Sequence, residues 1–238
     1  MKKLLLSAII TAFMMPQGVD AQFGGILKKA KEVVSGESSI TQDEAGLGLK
    51  EALNVGVQSA VDQLSEEKGY LESPYKILLP EEAQKVVSKL KVVPGFDNIE
   101  RDLVLKMNEA AELSAKKATP IFVGAIKEIT FEDALNILKG ENDAATRYLE
   151  NKSRENLYNA FLPVIQNALD EVGARVIWNK AVTAYNQIPF VSKTNPELDD
   201  HVNGRALDGL FGLIEVKEGG IRNDVDQRTS DLLKKVFQ

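Results

Sequence analysis

One stretch of the chain gathers most of the groups that could do chemistry. "DDHVNGRALDGLFGLIE" holds the only histidine, His201, with Arg205, Asp208 and Glu215 following it. An imidazole beside a guanidinium and carboxylates can bind an anion or move a proton. On a helix, His201 and Arg205 are an i,i+4 pair, and Arg205 and Asp208 an i,i+3 pair, so the same groups can also satisfy one another. Two readings follow: a polar seam, buried and paired with itself or else a solvated stripe, or the rim of a ligand pocket. A third is a hydrolase-like enzyme using His201, Arg205 and Asp208, and it lacks an evident nucleophile. The helix also carries Gly204, Gly209 and Gly212. Each glycine costs about 1 kcal/mol relative to alanine in a helix interior, so close approach of another backbone is expected there.

A second candidate is "NDAATRY". Asn142 can cap a helix after Gly140, and free amides at a helix N-terminus favour an anion. Arg147 and Tyr148 would face that anion, although helical geometry places them a turn further along. A tight αα-hairpin explains the same residues.

Much other chemistry is excluded. There is no G-x-x-x-x-G-K-[ST], no G-x-S-x-G and no H-E-x-x-H. "DVDQRTSDLLKK" begins like a calcium loop, but Arg228, Thr229 and Lys235 stand where a ligand, the turn glycine and the closing glutamate belong. "SEEK" (Ser65–Lys68) and "SAKK" (Ser114–Lys117) match S-x-x-K without the S-D-N or K-T-G that accompany it in penicillin-recognising enzymes. One histidine and no cysteine leave no zinc site, and neither metal nor cofactor is expected. A single tryptophan, Trp178, offers little for stacking sugars. The formal charge of −6, with cations scattered, argues against nucleic acid.

The elements that must position these residues read as helices. "TQDE" (Thr41–Glu44), "DNIE" (Asp97–Glu100) and "TFED" (Thr130–Asp133) each place a capping side chain three residues before an acid. Pro120 and Pro196 follow helix-start positions. Apolar stripes run through Leu49, Leu53, Val57, Ala60 and Leu64, through Ile99, Leu103, Met107 and Ala110, and through Leu157, Phe161, Ile165, Ala168 and Val172. Pro163 should bend the last of these. The candidate helix is read from Thr194 or Asn195 to about Glu218, with Gly219-Gly220 as its breaker. Strand-like alternation is not sustained anywhere. The expected fold is all-α: one bundle-like domain of about eight to ten helices over 41–238, with a hinge at 188–196.

The first residues point to export. Lys2 and Lys3 precede an apolar run from Leu4 to Met15, and Val19 and Ala21 stand at the −3 and −1 positions of a cleavage site before Gln22. That is the layout of a secretory signal peptide over 1–21. The run is too short for a comfortable transmembrane span, and no later stretch reaches eighteen apolar residues. Residues 22–40 read as a mobile leader. In it "ILKKAKEVV" puts Ile26, Leu27, Ala30, Val33 and Val34 on one helical face, either to dock on the domain or to make peripheral contact with the envelope.

Taken together, "GLGLKEAL" (46–53), "MNEAAE" (107–112), "ITFEDALNILKGENDAATRY" (129–148), "ALDGLF" (206–211) and "IRND…DLLKKVF" (221–237) resemble the bacterial family known as domain of unknown function 4197. The resemblance spans nearly the whole chain after the leader. It implies an exported, helix-rich protein of one domain and carries no catalytic residue with it. The expectation is a non-enzymatic binding or structural protein of the bacterial envelope, periplasmic, acting on an unknown protein or small-molecule partner. The oligomeric state is left open.

Overall fold

Helix starts are set locally where the capping grammar is complete. Thr41 accepts the Glu44 amide and Glu44 returns a carboxylate to the Thr41 amide, opening α1 (Gln42–Ser65). Thr130 and Asp133 do the same for α5 (Phe131–Lys139). The third expected box fails: α3 (Ile99–Ala115) has Asn98 as its N-cap, with no side-chain cap bond. Pro120 lies in the first turn of α4 (Ala118–Lys127), where its missing N–H costs nothing. The computed structural model describes residues 41–171, 173–193 and 197–238. The expected signal peptide and leader, the Ala21–Gln22 cleavage site, Val172 and the Thr194–Pro196 helix start lie outside the described residues.

The remaining helices are α2 (Glu81–Leu90), α6 (Ala144–Glu171), α7 (Ala174–Asn186), α8 (Leu198–Asn223) and α9 (Asp231–Val236), with a 3-10 turn at Val225–Gln227 between the last two. Among the described residues the fold is all-α, with nine α-helices and no strand. Residues 41–238 form one compact unit. Helices α6 and α8 make the most extensive pairing, α1 lies along α8, and α3 closes on both α6 and α8. Phe122, Phe161, Met107, Leu207 and Leu210 all belong to one continuous buried core. Phe122 and Phe211 pack edge to face, with ring centroids 5.6 Å apart. Each such side chain contributes roughly 1.5–3 kcal/mol by leaving water.

Helix α6 runs on through Pro163. A helical proline removes one donor from the carbonyl four residues back, here Asn159. The fully buried Asn203 of α8 supplies an amide to the adjacent carbonyl of Tyr158 at 3.0 Å.

Helix α8 departs from expectation at its C-terminal end. It continues through Gly219-Gly220 to Asn223. A Cβ on Gly220 would stand 2.0 Å from Oε1 of Gln227, so this glycine leaves room for the returning chain. Arg228 then caps the helix, its guanidinium donating to the carbonyls of Ile221 and Arg222 at 3.0 and 2.8 Å. Tertiary capping holds the turn that two glycines would otherwise fray. The C-terminus packs into the domain: Leu233 is fully buried, and a Cβ on Gly48 of α1 would collide with Val236.

Candidate functional site

Residues 66–80 connect α1 to α2 and form one wall of the site. Lys68 adopts a left-handed backbone, φ 65°, which turns neighbouring amides toward a common point. Glu112 of α3 fills that point, accepting from the amides of Lys68, Tyr70 and Leu71 at 3.1, 3.2 and 3.4 Å. Burial pushes the Glu112 carboxyl up, and the three backbone donors oppose that shift. Tyr70 is fully buried and donates its hydroxyl to the Ala206 carbonyl in mid-α8 at 2.7 Å. Burial likewise raises the Tyr70 phenol.

Next comes Lys76–Pro80, neither helix nor turn, in which Ile77 and Leu79 are buried while Lys76 and Leu78 are exposed. The carboxamide of Asn108, one turn before Glu112, accepts from the Ile77 amide at 2.8 Å and donates to the Ile77 carbonyl at 2.9 Å. Asn108 and Glu112 are the residues sequence reading missed. Their signal was two polar side chains at i,i+4 beside the α3 stripe.

The opposite wall is α8. Cβ atoms on Gly209 and Gly212 would each stand 2.9 Å from Tyr75, and that on Gly209 equally close to Tyr70. The expected close approach is therefore made by tyrosine side chains rather than by a backbone. Gly204 meets nothing within 4 Å, and nothing in the structure explains it.

Between the walls runs a groove open to solvent, about 430 Å³, bordered by Tyr75, Leu78, Gln84, His201, Arg205 and Asp208. His201 Nε2 lies 2.8 Å from the Leu78 carbonyl. Arg205 is 63% exposed and reaches Asp208 only at 3.6 Å. Asp208 is shared with Arg154 of α6, which also pairs with Glu150 at 2.8 Å. Of the two structural forms expected here, the solvated stripe rather than the buried seam matches the exposure, with Asp208 and Glu215 each about half exposed. Glu215 is not grouped with the other three. It points to Arg147 of α6 at 3.8 Å, and so joins a member of the first candidate set to one of the second.

The expected anion site at the start of α6 holds an internal carboxylate. Glu218 accepts from the amides of Ala145 and Thr146 at 2.9 and 2.7 Å, and from the Thr146 hydroxyl at 2.8 Å. Arg222 donates to Glu218 at 2.8 Å and to the Ile137 carbonyl at 2.8 Å. Asn142 stands two residues before the helix. Arg147 bonds to Asp143 at 2.9 Å, and the Tyr148 hydroxyl lies 3.3 Å from Asp133. Both ready-made anion cradles, the amides of 68–71 and the start of α6, are thus filled from within. No group of acidic or histidine side chains suited to a metal ion occurs among the described residues.

An all-helical domain with a mixed-charge surface groove is what the geometry defines. Residues 39–238 match the model of a family described as a protein of unknown function, DUF4197, and the chain belongs to that family. No curated protein and no solved structure matches it. None of its described helices is long and apolar enough to cross a membrane.

Proposed function

We propose that this is an exported, periplasmic envelope protein that works by binding, with the groove between residues 74–81 and α8 as its site. One observation carries the reading. Arg205 stands at the groove with its charge barely engaged, its one ion-pair contact 3.6 Å long and its partner Asp208 already held by Arg154. A cation left open beside an apolar wall is suited to an anionic or polar ligand. The hydrolase alternative, using His201 with Arg205 and Asp208, has no serine, threonine or cysteine bordering the groove and is the weaker reading.

The test is native mass spectrometry of the protein purified from its own cell envelope. An adduct on wild type that is lost on denaturation and missing from Arg205→Glu supports binding at the groove. A bare wild-type protein, or an adduct indifferent to the substitution, sinks it. N-terminal sequencing of the same preparation tests export, with Gln22 as the expected first residue.

A further inference from the structure

The open cation suggests that something binds; the backbone beside it indicates what. We propose that the groove takes an extended peptide segment, laid along the free edge of Lys76–Pro80 with one of its carboxylates on Arg205. This rests on the groove being a binding site, as argued above.

Lys76–Pro80 is neither helix nor turn, and its residues alternate exposed and buried with the period of two that an extended chain gives. In an extended chain the backbone groups of successive residues point to opposite edges. The inner edge is closed, since the Asn108 carboxamide meets both the N–H and the C=O of Ile77, as a neighbouring strand would. The outer edge, formed by Lys76 and Leu78, faces α8. His201 occupies the Leu78 carbonyl there. Among the described residues the Leu78 N–H and the Lys76 carbonyl have no hydrogen-bond partner. These two groups flank Ile77 with the spacing of a parallel bridge. One incoming residue can donate its N–H to Lys76 and accept the Leu78 N–H on its C=O. Pro80 has no N–H, so the pairing ends there.

Side chains complete the match. Leu78 is 58% exposed although its neighbours are buried, and Tyr75 borders the same groove. Main-chain bonds at a strand edge hold any extended peptide, and pockets for its side chains choose among sequences. Here the choosing groups are an exposed leucine, Lys76 and Arg205, which favour an apolar residue next to an acidic one. A small free anion would use Arg205 and leave the strand edge untouched, and that difference makes the proposal testable.

The experiment pans a phage-displayed library of random nonapeptides against the full-length protein after removal of any signal peptide. Selected peptides are then resynthesised with single N-methylations and with Glu→Gln or Asp→Asn changes. The expected result is acidic peptides, one position at which N-methylation weakens binding at least tenfold, and slowed hydrogen exchange at the Leu78 amide. Arg205→Gln in the protein should erase the preference for the acidic peptide over its amide. Citrate at millimolar concentration serves as the anion probe, read from the NMR signals of His201 and Arg205. No enriched peptide, or peptides indifferent to N-methylation with Leu78 unprotected, overturns the peptide proposal. If citrate still shifts those signals, the groove stands as a binding site for small anions. If neither probe shifts them, both readings fall.

Discussion

Glu218 and Thr146 stand 72 residues apart and share two hydrogen bonds, the Thr146 amide donating at 2.7 Å and its hydroxyl at 2.8 Å to the same carboxylate oxygen. With Arg222 behind it, Glu218 is the anion that the start of α6 calls for. Both side chains of the ion pair are over nine-tenths buried. Removing one member strands the other, at about 3–5 kcal/mol. Glu218→Gln is therefore expected to lower the melting temperature by about 6–12 °C or more. Replacing both residues with apolar ones of similar volume should recover part of the loss. Differential scanning calorimetry of the three proteins checks the order.

The glycines of α8 should answer to alanine with opposite signs. At Gly204 there is open space, so Gly204→Ala gains helix propensity, about 1 kcal/mol. At Gly209 the new methyl would sit 2.9 Å from the buried ring of Tyr70, and the overpacking, about 1–3 kcal/mol, outweighs that gain. Urea midpoints for the two variants read the contrast directly. Equal shifts would mean that the tyrosines yield freely.

Glu44 links the first turn of α1 to α9, accepting from Lys235 at 2.7 Å. That bond, with the Thr41 donors, holds its carboxyl down at about 2, against an ordinary 4.5. The folded pKa lies below the unfolded one. The stabilisation is then fully present above pH 4.5 and is lost as pH falls toward about 2. Glu44→Gln should be less stable than wild type at neutral pH, with the gap closing across that window. Urea unfolding at a series of pH values measures it.

Arg205 is exposed and loosely paired, so Arg205→Ala should change stability by less than about 0.5 kcal/mol. Among the described residues His201 makes one hydrogen bond, to the Leu78 carbonyl, and should behave similarly. A loss of ligand binding with melting unchanged then identifies a site. A large drop in melting temperature would instead return the pair to a structural seam.

What the sequence reveals here is what is local. Thr41 with Glu44, and Thr130 with Asp133, lie three residues apart, and their boxes form as read. The same grammar misleads at "DNIE", where Asn98 rather than Asp97 stands next to the helix. The apolar stripes locate the core because burial follows helical period. Glu112, Asn108, Glu218 and Arg228 escape such reading, since the first three find partners 31 or more residues away in sequence. Their one local trace is a polar side chain within or beside an apolar stripe, as Glu218 between Ile214 and Ile221. The groove is equally unreadable, because "SPYKILLP" becomes one of its walls only when Asn108 and α8 close on either side.

The clasp between Glu44 and Lys235 joins residues 191 positions apart. It sets the timing of assembly. Helix α1 emerges first among the described helices and cannot acquire its neighbour α9 until residues 231–236 have been made. Until then the face around Gly48 and Ala52 stays bare, so this part of the fold is completed by a long-range closure rather than a local one. A tag inserted directly after Gln238 would sit beside that closure, and removal of residues 231–238 would leave the Gly48 face of α1 uncovered.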